Sequence, residues 1–139
     1  MGKTVIIYGS STGNTETAAK WIKGAIGGAD LMDVVSVAPS ALTSYDVIIL
    51  GSSTWGQGEL QDDFAGFYDA MSEETFSGKK VAVFGCGDRD MFPDCFCNAV
   101  DLIADKAKEC GAHVAEPLFR IDGDVDAYEA DIKAWAAEL

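Results

Sequence analysis

Three runs of this chain are apolar at every position: Val5-Ile6-Ile7, Val47-Ile48-Ile49-Leu50 and Val81-Ala82-Val83-Phe84. A strand with one wet face alternates apolar and polar residues, so a strand with no polar position has to be covered on both faces, as central parallel strands are. Between and after these runs, apolar residues recur at helical spacing. They are Ala18, Ile22, Ala25 and Ile26; Phe64, Phe67, Tyr68 and Met71; Val100, Ile103, Ala104 and Ala107, ended by Gly111; and Val125, Tyr128, Ile132, Trp135 and Leu139. The alternation predicts βαβ units, with strands at Lys3–Gly9, Leu31–Val37, Val47–Gly51, Val81–Gly85 and His113–Ile121 and four helices. Leu31–Val37 mixes polar and apolar positions and suits an edge. Right-handed crossovers then place helices on both faces of a five-stranded parallel sheet. One doubly wound α/β domain over residues 1–139 is expected, with its ligand at the C-terminal strand edge, at the topological switch point.

Ten Lys and Arg against 23 Asp and Glu leave a net charge of −13. Nucleic-acid backbones and anionic membranes would repel such a chain. The apolar runs are about four or five residues long, against about 20 for a membrane helix. Met-Gly-Lys leads straight into the first run without the apolar core of a signal peptide. Cysteines 86, 95, 97 and 110 form no C-x-x-C pair and the single histidine is His113, so no metal site is expected. Reduced thiols in a cytoplasmic protein are the expectation.

Three loops leave the sheet at its C-terminal edge. Gly9-Ser10-Ser11-Thr12-Gly13-Asn14-Thr15 runs into a helix, so unpaired helix N–H groups and several hydroxyls converge on one point. That is an anion cradle. Without a Walker Lys or dinucleotide fingerprint it suits a terminal monophosphate. Taken alone, the same residues also suit a turn and helix cap. Ser52-Ser53-Thr54-Trp55-Gly56-Gln57-Gly58-Glu59-Leu60 carries a Trp among glycines, placed to be covered by something flat, although a Trp folded back on the core has the same signature. Gly56 has no Cβ to hinder its peptide from turning over. The third loop, Gly85-Cys86-Gly87-Asp88-Arg89-Asp90-Met91-Phe92-Pro93-Asp94-Cys95, offers backbone groups to a polar heterocycle and a second aromatic plane at Phe92, held extended by Pro93. A phosphate cradle and two aromatic planes at one edge describe a phosphorylated, planar, aromatic ligand.

These residues resemble the flavodoxin family along the whole chain. Ser10-Ser11-Thr12-Gly13-Asn14-Thr15 matches the family's phosphate signature for FMN, Thr54-Trp55-Gly56 the loop whose Trp stacks on the flavin, and Gly85-Cys86-Gly87-Asp88 followed by Phe96-Cys97 the third flavin loop. The resemblance implies a sheet of strand order 2-1-3-4-5 and non-covalently bound FMN. It also implies a one-electron carrier with no substrate of its own, working mainly between semiquinone and hydroquinone. By similarity, Ser53 joins the phosphate site, Gly56 turns its carbonyl toward flavin N5, and Cys86, Gly87, Asp88 and Cys95 line the pyrimidine edge. The outer flavin face, usually covered by Tyr, falls to Phe92 in the longer-loop register and to Met91 in the shorter one; the stacking role favours Phe92. The chain lacks the insertion in the last strand that long-chain members carry.

Glu59, Asp62, Asp63, Asp88, Asp90 and Asp94 lie in or beside these loops, accompanied only by Arg89. At about 12 Å and an effective dielectric of about 40 to 80, six carboxylates cost an anionic flavin about 2 to 4 kcal/mol before salt screening. The fully reduced form would then be a strong donor, and the acidic rim would attract basic redox partners to a monomeric carrier. A receiver-type signalling module shares the architecture, but it needs acidic residues where Gly9-Ser10 and Gly51-Ser52 stand. An FMN-dependent reductase is closer, yet no nicotinamide site is recognisable.

Overall fold

The computed structural model describes residues 3–9, 14–37, 42–55, 59–60, 62–87, 98–115, 118–122 and 125–137. Its strands are β1 (Thr4–Gly9), β2 (Asp30–Asp33), β3 (Val47–Trp55), β4 (Glu59–Leu60), β5 (Lys80–Gly87), β6 (His113–Val114) and β7 (Phe119–Asp122). Helices are α1 (Asn14–Ile26), α2 (Asp62–Ala70), the single turn α3 (Glu73–Phe76), α4 (Asn98–Glu109) and α5 (Glu129–Ala137). The sheet runs β2-β1-β3-β5, and then β6 and β7 share the outer edge of β5. This is the expected 2-1-3-4-5 order, all parallel apart from the antiparallel β3–β4 pair.

The three apolar runs divide their side chains between two cores as strand pleating requires. Val5, Ile7, Ile48, Leu50, Val81 and Val83 face one layer with Phe64, Phe67, Val100 and Ile103 from α2 and α4. Ile6, Ile49, Ala82 and Phe84 face the other with Ala18, Ile22, Ile132 and Trp135 from α1 and α5. Gly111 ends the α4 segment at φ +85°, a backbone conformation that disfavours a Cβ.

Several boundaries differ from the sequence reading, each for a local reason. The Leu31–Val37 strand stops at Asp33, whose carboxylate accepts the Val35 N–H at 3.0 Å. The Ser36 hydroxyl donates to the Asp33 carbonyl at 2.8 Å. A 3-10 turn over Val34–Ser36 follows and buries Val34. β3 continues past Gly51 to Trp55 because β4 pairs with it, Thr54 against Leu60 and Trp55 against Glu59. Ser53, Thr54 and Trp55 are therefore strand residues and not loop residues. β5 likewise runs on to Gly87. The predicted His113–Ile121 strand is two strands, since His113 opposes Lys80 and Phe119 opposes Phe84: six steps of chain on one side match four on the other. The two surplus residues break the outer strand between β6 and β7. The helical run from Val125 begins as a 3-10 turn, Val125–Tyr128, before α5; Leu139 lies outside the described residues.

The edge strand is fastened at its start, where the Tyr45 hydroxyl donates to Asp30 Oδ2 at 2.5 Å. That hydrogen bond, followed by burial and the Asp30 charge, raises the Tyr45 pKa. A raised folded-state pKa means stability fully present below the unfolded value of 10.0 and lost as pH climbs through the folded value. Tyr45→Phe should therefore lower the urea midpoint at pH 7 and flatten its decline above about pH 10. Unfolding curves of both proteins between pH 7 and 11 check this, and parallel declines would remove Tyr45 from the account.

Candidate functional site

Parallel strands deliver their C-terminal ends, and the N-termini of the helices that follow, to one edge. At the switch between β1 and β3, Gly9 lies opposite Ser52. From there Ser52 opposes Gly85, and Ser53 opposes Cys86. One row of small residues, Gly9, Ser52 and Gly85, thus crosses the middle of the sheet where the first and third predicted loops depart.

α1 opens at Asn14, at the same edge of the sheet as this row. Thr15 in the same turn is completely buried, as is Ser52. Among the described residues no buried side-chain nitrogen or oxygen lacks a hydrogen-bond partner. The row admits no larger residue at Gly85. A Cβ there would sit 2.6 Å from the Ser52 carbonyl oxygen and 2.5 Å from Val100 Cγ2. Glycine is what lets α4 press directly on β5 at the edge.

Negative charge collects at this end of the molecule. Glu16 is in the first turn of α1, Asp101 in that of α4, and Glu129 and Asp131 in that of α5. Asp33 ends β2. The described cations nearby are each engaged: Lys20 with Glu16 at 3.0 Å, Lys133 with Glu129 at 2.5 Å, and Arg120 with Asp101. At the opposite pole, Lys23, Lys106 and Lys108 occupy the last turns of α1 and α4. The field is felt by Tyr8, next to Gly9. Burial and then the Glu16 and Asp33 carboxylates raise its pKa.

A helix N-terminus beside a strand end of Gly and Ser is the kind of place where phosphate groups are bound without a cation. The family model "Flavodoxin" matches residues 6–135 of this sequence. The chain belongs to the flavodoxin family. It is 43% identical to a flavodoxin of Maridesulfovibrio salexigens, over 100% of this chain and 97% of that one. Flavodoxin 1 of Bacillus cereus superposes with a TM-score of 0.83 at 38% identity, covering 98% and 95% of the two chains. The fold is also that of a Fusobacterium nucleatum flavodoxin bound to flavin mononucleotide, with a TM-score of 0.84, 18% identity and coverage of 99% and 96%.

Among the expected flavodoxin site residues, Asn14 and Thr15 form the first turn of α1. Ser53, Thr54 and Trp55 end β3, and Cys86 and Gly87 end β5. The structure brings Ser53 and Cys86 together as register partners. Ser10, Ser11, Thr12, Gly13, Gly56, Asp88, Phe92 and Cys95, with the alternative Met91, lie outside the described residues. Ser52, expected to open the second loop, is instead a buried residue of β3; a Gly-Ser-Ser tail on an all-apolar run is itself a sign that the strand goes on to the edge. Sequence reasoning passed over Arg120 and Asp101, whose pairing has no sequence signature.

Proposed function

We propose that this chain is a single-domain, monomeric, cytoplasmic electron carrier that holds one non-covalent FMN at the C-terminal edge of β1, β3 and β5. The observation that carries the reading is the row Gly9–Ser52–Gly85 at the edge where α1 begins with the buried Thr15, in a family member whose sequence from Ser10 to Thr15 bears the phosphate signature. When bound, FMN supplies one-electron redox chemistry.

The chain's own residues do the rest. Ser10 to Thr15 and Ser53 grip the phosphate through hydroxyl and amide donors. Trp55 and Phe92 cover the two ring faces and exclude water. Cys86, Gly87, Asp88 and Cys95 meet the pyrimidine edge, and the Gly56 carbonyl accepts a hydrogen bond from the N–H formed when N5 gains a proton. Carboxylates around the edge disfavour added negative charge, which makes the doubly reduced protein a strong donor. The same rim selects partners with basic docking faces. Among the described residues no helix is long and apolar enough to cross a membrane.

Added FMN should bind the flavin-free protein at one per chain, and stepwise reduction should pass through a well-populated one-electron state. Gly56→Val or Gly56→Thr should lower that population, since a β-branched residue resists the peptide turn. Failure to take up FMN would remove the reading; an unchanged population would remove only the role of Gly56. Electron transfer to a basic acceptor such as cytochrome c should slow at least tenfold between about 10 and 300 mM salt. Salt-independent rates would show that the rim does not steer.

A further inference from the structure

Two consecutive residues in the first turn of α4, Val100 and Asp101, reach the sheet at two neighbouring points of one row. Val100 Cγ2 stands 2.5 Å from where a Cβ on Gly85 would be, so it fills the space that glycine leaves. The Asp101 carboxylate accepts from the Arg120 guanidinium, and Arg120 is the register partner of Gly85 on β7. The helix turn is therefore seated in a socket on β5 and strapped to the next strand.

What this seat fixes is a distance along the chain. Gly85 lies two residues before the end of β5, and Val100 two residues after the start of α4. Between those ends runs Asp88–Cys97, the segment assigned above to the pyrimidine edge and outer face of the flavin. A segment whose two ends are held in place loses less freedom when its ligand binds than one with a loose end.

We propose that Arg120 is a positioning residue for FMN, holding the start of α4 on β5 through Asp101 and so presetting both ends of the third flavin loop. The inference rests on the proposed FMN site. It is distinct from a simple field effect, because the two partners carry opposite charges. If their charges alone mattered, Arg120→Gln would weaken binding of the anionic FMN and Asp101→Asn would strengthen it. As a strap, the loss of either partner weakens binding. The side chains are 37% and 48% exposed, and an exposed pair has only a modest worth. The expected loss is about two- to fivefold in FMN affinity, with the urea midpoint of the flavin-free protein nearly unchanged.

The test is FMN titration of flavin-free wild-type, Arg120→Gln, Asp101→Asn and the double variant, together with amide hydrogen exchange over Asn98–Leu102 in the same flavin-free proteins. Support consists of weaker binding in both single variants, a double variant no weaker than either, and faster exchange in the first turn of α4 in all three. Opposite signs in the single variants, full additivity in the double, or unchanged affinity and exchange would overturn the strap while leaving the FMN site standing. A wild-type chain that bound no FMN would overturn both.

Discussion

Replacing Gly85 with Ala is expected to cost the flavin-free protein about 2 to 3 kcal/mol and to weaken FMN binding at least tenfold. One new methyl carbon has two neighbours to displace. Val100 Cγ2, at 2.5 Å, belongs to a side chain that can change rotamer only inside a filled core; the Ser52 carbonyl oxygen, at 2.6 Å, is backbone in a central strand. Moving Ser52 means moving β3 against β5 or against β1, because Ser52 is hydrogen-bonded strand on both sides. The cheaper relaxation lifts α4 off the sheet, and that displaces the start of the helix on which the proposed third flavin loop ends. Stability and flavin affinity should therefore fall together, unlike the Arg120 variants, where affinity falls alone. Urea unfolding and FMN titration on the same preparations measure both, and a variant of wild-type stability would show that the seat of α4 is slacker than the structure has it.

The divided core was legible because it depends on the residues themselves. Val5 to Ile7, Val47 to Leu50 and Val81 to Phe84 have no polar position to offer water, so any fold of this chain had to cover them twice. Strand ends were less legible because they depend on a neighbour. Ser52 to Trp55 has the composition of a loop, and only pairing with Glu59–Leu60, too short to recognise, keeps Thr54 and Trp55 in the sheet. Asp33 ends β2 by a side-chain hydrogen bond that competes with the ladder. The break between β6 and β7 is a mismatch of register with β5, which no property of residues 113–122 taken alone reveals.

The candidate site shows the same division. Its local part, the signature Ser10 to Thr15 leading into α1, was readable because helix N-termini and hydroxyls have a fixed chemistry wherever they occur. So was the excess of carboxylates. That the first-turn carboxylates of Glu16, Asp101, Glu129 and Asp131 share one pole follows from a parallel sheet, which sends every following helix away from the same edge. Acids favoured in first turns by the helix dipole then accumulate there, and lysines in last turns accumulate at the other end. The charge distribution that suits an electron carrier is in this sense a consequence of topology combined with ordinary helix capping preferences.

The second large effect lies one row beneath the site. Phe84 is buried, with its ring lying over Gly51 in the neighbouring strand. It meets Trp135 edge-on at 6.4 Å between centroids, and Trp135 in turn meets Phe119 at 5.5 Å. These contacts hold α5 against β5 and β7. Phe84→Ala should cost about 3 to 5 kcal/mol, a large part of the stability of a domain this size. Gly51→Ala should cost about 1 to 3 kcal/mol alone, since its Cβ would enter the Phe84 ring. The two changes remove each other's difficulty: without the ring the new methyl has space, and with the methyl the cavity is smaller. In the Phe84→Ala background, Gly51→Ala should therefore be neutral or mildly stabilising. Urea unfolding of the four proteins gives the coupling directly. Additive losses would mean that Gly51 is required for its backbone and not for the ring above it.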